Sequence, residues 1–140
     1  MIRTEHIRLR TRGHADIHDL TPRLESLLQE AGVSEGLLTV FTPSSTSAVT
    51  TIEYEDGALD DLRRTLDRIA PPDDVYVHNE RWGDGNGHAH IRAALLKPSL
   101  SIPVHAGQMT LGTWQQVVFI DFDVRARQRT LVIQILGETN

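Results

Sequence analysis

Three histidines within thirteen residues are the clearest candidates for chemistry in this sequence. Neutral imidazole is the commonest protein ligand for zinc and related metals. Two interpretations remain open: a divalent-metal site, or a solvated polar loop whose histidines cap a helix and bind backbone groups. The segment 76–90 holds these histidines and three further polar groups, namely His78, His88, His90, Glu80, Asp84 and Asn86.

The spacing of the last two histidines limits how they can act together. Residues two apart on an α-helix point about 200° away from each other, so His88 and His90 cannot share a metal from within one helix. If both bind the same ion, His88 lies in the glycine-rich loop and His90 opens the helix. We expect the glycines at 83–87 to let this loop turn sharply.

Four consecutive hydroxyl side chains form a second candidate, at residues 44–47 after Pro43. They lie between two predicted strands. Such corners can bind phosphate through hydroxyls and backbone N–H groups. More often the hydroxyls satisfy the backbone of their own turn. Both interpretations remain open, the second being the commoner.

A carboxylate pair and an aromatic ring are further candidates. Glu53 and Glu55 lie two apart in a predicted strand and face the same side, where they could bind metal or act as a general base. A solvated strand face is the alternative and is favoured for Glu55. Trp114 has polar neighbours on both sides, which suit a pocket wall, although tryptophan usually packs in a core.

The elements that must position these residues predict an α+β fold. Apolar periodicity predicts three helices. The first has Thr21 as its N-cap and Pro22 at its first position and stops at Gly32, the second follows Asp56-Gly57 and ends before Pro71-Pro72, and the third spans 90–96 after a loop at 76–90. Residues 115–122 and 129–136 resemble a terminal hairpin. The order of the elements lacks the regular β/α alternation of a parallel sheet, so we expect a mainly antiparallel sheet with helices packed on one face. We expect residues 1–140 to form a single domain. The remaining predicted strands are 2–10, 36–42, 47–54, 99–104 and 107–112.

Composition excludes several functional classes. The 140 residues include no cysteine, which removes thiolate metal sites and cysteine nucleophiles. The net charge of −5 argues against nucleic-acid binding, which needs Lys and Arg to neutralise phosphates. No apolar run approaches the roughly 20 residues of a membrane span, and residues 1–13 lack the apolar centre of a secretory signal. We therefore expect a cytoplasmic protein without membrane or nucleic-acid partners.

Several motifs in the correct order resemble the YjbQ family, whose members are described as secondary thiamine-phosphate synthases. The resemblance spans nearly the whole chain. It is carried by GLLTVF at 36–41, TTIEYE at 50–55, WGDGNGHAH at 82–90, AALL at 93–96, PSL at 98–100 and LGTWQQ at 111–116.

The resemblance implies a YjbQ-like α+β fold, a homotrimer, and a polar pocket near subunit boundaries that can hold a divalent metal, often zinc. One position departs from the family pattern: Ser44 stands where the family usually has histidine after proline. A hydroxyl is a much weaker zinc ligand than an imidazole. His88 is a candidate substitute. The positions carried over from the family are Glu53, His78, Asn86, His90 and Trp114.

Two functions are compatible with the sequence. The first is a metal-assisted enzyme with thiamine-phosphate synthase activity on small phosphorylated heteroaromatic substrates, with Arg81 or Arg92 aiding phosphate contact. The alternative is a non-catalytic trimeric binding protein for a small anion or a metal. For the enzyme we expect catalytic roles for Glu53, His78 and His90; substrate contacts from Ser44, Ser45, Thr46, Asn86 and Trp114; and metal contacts from His78, His88 and His90.

Overall fold

The computed structural model describes residues 1–139, which form eight strands and four helices. In chain order the elements are β1 (Ile2–Thr11), β2 (Asp16–Asp19), α1 (Thr21–Ala31), β3 (Val33–Phe41), β4 (Ser47–Ile52), α2 (Asp56–Ile69), α3 (Val77–Trp82), α4 (Gly87–Leu96), β5 (Ser99–His105), β6 (Gln108–Met109), β7 (Gln116–Asp121) and β8 (Arg127–Thr139).

The strands form two antiparallel sheets, a larger one in the order β1-β8-β3-β5-β6 and a smaller one in the order β2-β7-β4. Their facing sides share one apolar core with α1. The other side of the smaller sheet packs against α2 and α4 in a second core. The predicted α+β, mainly antiparallel fold with helices on a sheet face is confirmed.

Strand β7 lies between the two cores and is buried on both sides. Val117 and Phe119 face the first core, while Val118 and Ile120 face the second. Successive strand residues point to opposite faces, so a strand with helices on one side and a sheet on the other needs apolar residues at every position. This explains the unbroken apolar run at 117–120.

The predicted terminal hairpin is wrong. Strand β7 pairs with β2 and β4, whereas β8 pairs with β1 and β3 in the other sheet. The chain leaves β7 through a bend in which the backbone N–H of Asp123 donates to the carboxylate of Asp121. Residues 122–126 therefore carry the chain from one sheet to the other.

Two local predictions also change. The segment 76–90 is not a continuous loop, because it contains α3 and the start of α4. Strand β4 ends at Ile52, so Glu53 and Glu55 do not share a strand face. Instead Glu55 is the N-cap of α2, where its carboxylate accepts hydrogen bonds from the N–H groups of Gly57 and Ala58.

The pairing of β4 with β7 gives the smaller sheet two distinct ends. Ser47 lies opposite Asp121 at one end, and Ile52 lies opposite Gln116 at the other. Six strand residues separate these ends by roughly 17 Å. Within residues 1–139, no helix is both long enough and apolar enough to cross a membrane.

Candidate functional site

The turn between α3 and α4 positions the candidate histidines. Gly83 and Gly85 have φ of +66° and +68°, the left-handed region that glycine enters without steric cost. Helix α4 then begins at Gly87, with Asn86 just before it and His90 in its first turn. The structure thus has the sharp glycine turn and the helical His90 that the sequence indicates.

Three side chains converge beside this turn: His78 from α3, Asp84 from the turn and His90 from α4. One ligand atom from each lies within 4.8 Å of the other two. The rings of His78 and His90 have centroids 4.3 Å apart. A tetrahedral zinc ion with bonds of about 2.0–2.1 Å separates its ligands by roughly 3.4 Å, so a small closure of the side chains would complete the site.

The His78 side chain has a polar atom that is not satisfied by the described part of the protein. Its Nδ1 is buried and has no hydrogen-bond partner among residues 1–139. Asp84 Oδ1 is 3.3 Å away, close enough for an ion pair, but its direction is not that of a hydrogen bond. A buried polar atom left without a partner is costly. A cation between the imidazole and the carboxylate would satisfy both, so this donor set fits a divalent metal.

A backbone contact orients His90. Its Nδ1 lies 3.1 Å from the carbonyl oxygen of Ser45. A carbonyl only accepts hydrogen bonds, so the contact requires the proton on Nδ1 and leaves a lone pair on Nε2. This is the usual way in which an outer contact fixes the tautomer of a metal-binding histidine.

His88 does not join this cluster. Both His88 and His90 lie in α4, two positions apart, so their side chains point in nearly opposite directions. The His88 ring is 3% exposed and packs near Tyr76. Burial lowers its pKa, and the guanidinium of Arg92 lowers it further. The geometry therefore does not support His88 as a ligand, and Asp84 is the third residue of the cluster that could hold a metal.

The hydroxyl corner lies next to the cluster, in a cavity of about 430 Å³. Three hydroxyl residues of the corner line this cavity, and Thr46 is the most buried of them. The Thr46 hydroxyl donates to Asp123 Oδ2 at 3.0 Å. Asn86 is also buried, and its Oδ1 accepts from the N–H of Val124 at 3.0 Å. The cavity thus collects most of the substrate-contacting residues expected from the sequence. Its lining residues are Pro43, Ser44, Ser45, Thr46, Asp84, Asn86, His90, Asp123, Arg127 and Arg129.

Two arginines complete the cavity, and the sequence analysis did not single them out. Arg129 forms a double hydrogen bond with Asp121, from Nε at 2.7 Å and from Nη2 at 2.9 Å. Arg127 Nη2 lies 3.2 Å from Asp123 Oδ2. Burial raises the pKa of Asp123, but hydrogen bonds from the Arg125 backbone and from side chains outweigh it and hold the pKa below its usual value.

The arginines expected to contact phosphate lie elsewhere. Arg92 is buried, where it donates to the carbonyl of Ala70 and to Asp67, both at 3.0 Å. It therefore holds α4 against the end of α2. Arg81 is exposed in α3 and does not line the cavity.

Glu53 and Trp114 are not brought to the cavity within one chain. Both lie beyond the opposite end of the smaller sheet, next to the Ile52–Gln116 pair. Trp114 is 72% exposed and Glu53 is also exposed. A larger cavity of about 480 Å³ lies near that end, between α1 and residues 107–116. Two of its glutamines hold the local backbone: Gln115 accepts from the N–H of Gly112, and Gln116 from that of Tyr54.

Comparison with known proteins gives one consistent result. The family described as UPF0047 protein YjbQ-like matches residues 5–138. A UPF0047 protein of Methanothermobacter thermautotrophicus is 36% identical over 135 residues, covering 96% of this chain and 92% of that protein. The YugU protein of Bacillus subtilis, also a UPF0047 protein, is 30% identical and covers 94% and 97%.

Solved structures agree with the sequence relatives. A YbjQ-like protein of unknown function from Sulfolobus solfataricus superimposes with a TM-score of 0.93 at 28% identity, covering 99% of both chains. A hypothetical protein from Aeropyrum pernix has a TM-score of 0.90 at 32% identity, covering 97% of this chain and 99% of that one. The sequence motifs, the fold and these similarities together place the chain in the YjbQ-like UPF0047 family.

Proposed function

We propose that this protein binds a divalent metal, zinc being the first candidate, at His78, Asp84 and His90, and acts on a small phosphorylated molecule in the adjoining cavity. The convergence of three ligand atoms within 4.8 Å carries the proposal, and the unpartnered buried Nδ1 of His78 supports it. Two imidazoles and a carboxylate are a common catalytic zinc set, which leaves a coordination position open.

The proposed reaction is the one that the family resemblance implies, thiamine-phosphate synthesis. It joins a pyrimidine diphosphate to a thiazole phosphate and releases diphosphate. A bound divalent cation would supply positive charge where the leaving group becomes negative. The chain's own residues would orient the substrate. The Ser45 hydroxyl would donate a hydrogen bond, Thr46 would contribute by fixing Arg129 and Asp123 beside the cavity, and the Ser45 carbonyl keeps His90 in the required tautomer.

Binding without turnover is the second candidate, and Ser44 favours it. The Ser44 hydroxyl accepts a hydrogen bond from the N–H of Thr46 at 3.2 Å, so it serves the turn. Within residues 1–139, no third imidazole joins His78 and His90 in the ligand cluster. Fewer nitrogen ligands weaken zinc binding, which suits a protein that holds an anion or a metal without transforming it.

We also propose the homotrimer that the resemblance implies. The outward face of the larger sheet supports a self-association surface, because its residues Ile2, Leu136, Leu37 and Pro103 are directly paired across four strands. Ile2, Leu37 and Leu136 are exposed. An apolar row of this kind is typical of an interface between chains.

Metal binding is tested by zinc calorimetry and metal analysis on the wild type, His90→Ala and His88→Ala. We expect about one zinc per wild-type chain, loss of tight binding in His90→Ala, and retention in His88→Ala, which changes the same residue type on the opposite side of α4. A thermal melt of each variant checks folding. Equal zinc binding by wild type and His90→Ala would refute the site.

The reaction itself needs a separate measurement. We expect zinc-loaded protein to release diphosphate from the pyrimidine diphosphate and thiazole phosphate pair, and the Asp84→Asn variant to lose that release. Zinc and phosphate binding without turnover of this pair would select the binding protein instead.

A further inference from the structure

Two arginines of β8 occupy positions that the strand otherwise reserves for the core. Leu131, Ile133 and Ile135 are fully buried on the inward face, and the alternation of the strand places Arg127 and Arg129 on that same face. A charged side chain that points inward needs partners. These two arginines reach the candidate cavity at the end of the strand, where Asp84 and His90 also lie.

The cavity holds Arg129 in one orientation. Its double hydrogen bond to Asp121 is supported from behind, because Thr11 donates to the same carboxylate at 2.6 Å. Its Nη2 also donates to the Thr46 hydroxyl at 2.8 Å, and that hydroxyl donates onward to Asp123. These contacts use the N–H groups of Nε and Nη2, and the two N–H groups of Nη1 remain as donors, held in a fixed orientation, for a phosphate oxygen.

Arg127 is the more accessible of the two. Its side chain is 41% exposed, and it meets the nearly buried Asp123 at 3.2 Å through Nη2. An arginine has five N–H donors, so this single contact leaves others for a ligand in the cavity.

The carboxylates behind the arginines decide when an anion can bind. Asp121 and Asp123 neutralise Arg129 and Arg127, and with Asp84 the negative groups outnumber the positive ones by one. A phosphate dianion is therefore not attracted to the metal-free cavity by net charge. A divalent cation beside Asp84 reverses the sign, since it brings two positive charges into the same cavity.

We infer that Arg127 and Arg129 form the phosphate subsite of this cavity, and that phosphate and the divalent cation bind there cooperatively. This inference rests on the metal site of the proposed function. It adds the residues that recognise the phosphate and an order of events, in which the cation makes the subsite attractive to the anion. By linkage, phosphate must strengthen cation binding by the same factor.

Calorimetric titration with inorganic phosphate, with and without one equivalent of zinc, tests this inference. We expect phosphate affinity to rise about tenfold or more with zinc. Arg127→Gln should lower the affinity of the zinc-loaded protein about tenfold, because it removes a charge-assisted contact. Arg125→Gln, two residues away, makes the same charge change outside the cavity and should leave affinity within about twofold. The inference is overturned if phosphate affinity does not depend on zinc, or if Arg127→Gln leaves it unchanged.

Asp123→Asn separates this inference from the metal site. Removing the carboxylate frees the charge of Arg127, so the metal-free variant should bind phosphate more tightly than metal-free wild type, a gain that a merely structural role for Asp123 would not produce. The double variant Asp123→Asn/Arg127→Gln should lose that gain. If zinc does not bind, the proposed function fails, but these two variants still test the arginine subsite. A gain in phosphate affinity that depends on Arg127 supports the subsite, and the absence of a gain overturns it.

Discussion

His90 and Asp84 show how local backbone contacts position the ligands of the proposed metal site. The Ser45 carbonyl fixes the proton of His90 on Nδ1 and leaves Nε2 for a metal. Asp84 Oδ1 accepts from the N–H of Asn86 at 3.1 Å, which holds the carboxylate near His78. Both contacts are made by backbone groups of segments that line the cavity. The ligand geometry thus depends on the hydroxyl corner and the glycine turn as much as on the ligands.

We predict that Ser44→His raises zinc affinity about tenfold or more, because it adds an imidazole beside a ligand cluster that already has two. Competition with a fluorescent zinc chelator measures the change. Ser26→His, an exposed position on α1, is the control and should have little effect. If Ser44→His binds zinc no better than Ser26→His, the corner does not face the ligand cluster.

The sequence predicts which site residues can act together where residue spacing alone determines it. Helical geometry excludes a metal shared by His88 and His90 once both lie in α4, and the structure has that arrangement. The sequence could not place Asp84, because an acidic residue in a glycine turn is usually solvated. It also could not show that Trp114 and Glu53 lie a sheet length away, since that depends on the pairing of β4 with β7.

A signal for the two cavity arginines was present in the sequence. Arg127 and Arg129 precede Leu131 and Ile133 at the same alternating spacing, so one strand face carries both arginines and core residues. An arginine in register with a core face needs a buried partner. That pattern identifies the arginines as candidates, but only the bend after β7 shows that Asp121 and Asp123 are the partners.

At the level of elements, the α3–α4 turn makes two different demands on glycine. Gly85 needs a left-handed backbone and has open space around its Cα. Gly87 needs the space instead, because a Cβ there would overlap the Tyr76 side chain, 2.6 Å from its Cγ. The first demand is conformational, whereas the second brings α4 close to the segment before α3.

We predict that Gly87→Ala lowers the free energy of unfolding by about 1–3 kcal/mol through overpacking against Tyr76. Gly85→Ala should cost about 1–2 kcal/mol, because an L-residue is strained at positive φ. Gly112→Ala is the control, since its Cβ meets only ordinary contacts at 3.6 Å or more. Urea denaturation measures all three. A Gly87→Ala variant as stable as Gly112→Ala would contradict the close approach.

The elements themselves were predictable to different degrees. Helix α1 ends at Gly32 as the sequence indicates, but its N-cap is Leu20, one residue before the predicted Thr21. The terminal hairpin was mispredicted because β7 is apolar at every position, and such a run does not reveal which sheet it joins. Strand β2 has only four residues, too few for a visible alternation.

For the whole molecule, the larger sheet has one face in the core and one face without cover in a single chain. A half-solvated sheet normally alternates apolar and polar residues. The outward positions Thr4, Arg8 and Arg10 of β1 follow that rule. Leu37 and Leu136 break it, at the end of the sheet near Ile2. Phe41, paired with Val132 further along β3, is another exposed apolar residue on this face, so the apolar surface extends beyond Leu37.

We predict that the wild type has three times the chain mass of 15.7 kDa in light scattering, and that Leu37→Glu dissociates it. A carboxylate in a paired apolar row loses its hydration when the copies associate. Val75→Glu makes the same kind of change at a residue 78% exposed outside this face and should remain trimeric. A wild-type monomer, or a Leu37→Glu trimer, would contradict the assembly.

The central claim, a metal held by His78, Asp84 and His90, is tested most directly by anomalous diffraction from zinc-soaked crystals on both sides of the zinc absorption edge. We predict one edge-dependent peak per chain, about 2.0–2.2 Å from a nitrogen of each imidazole and from an Asp84 oxygen. Two results would contradict this site. One is a zinc peak at His88 or at another histidine, and the other is fully occupied zinc elsewhere in the crystal with no peak in the cavity.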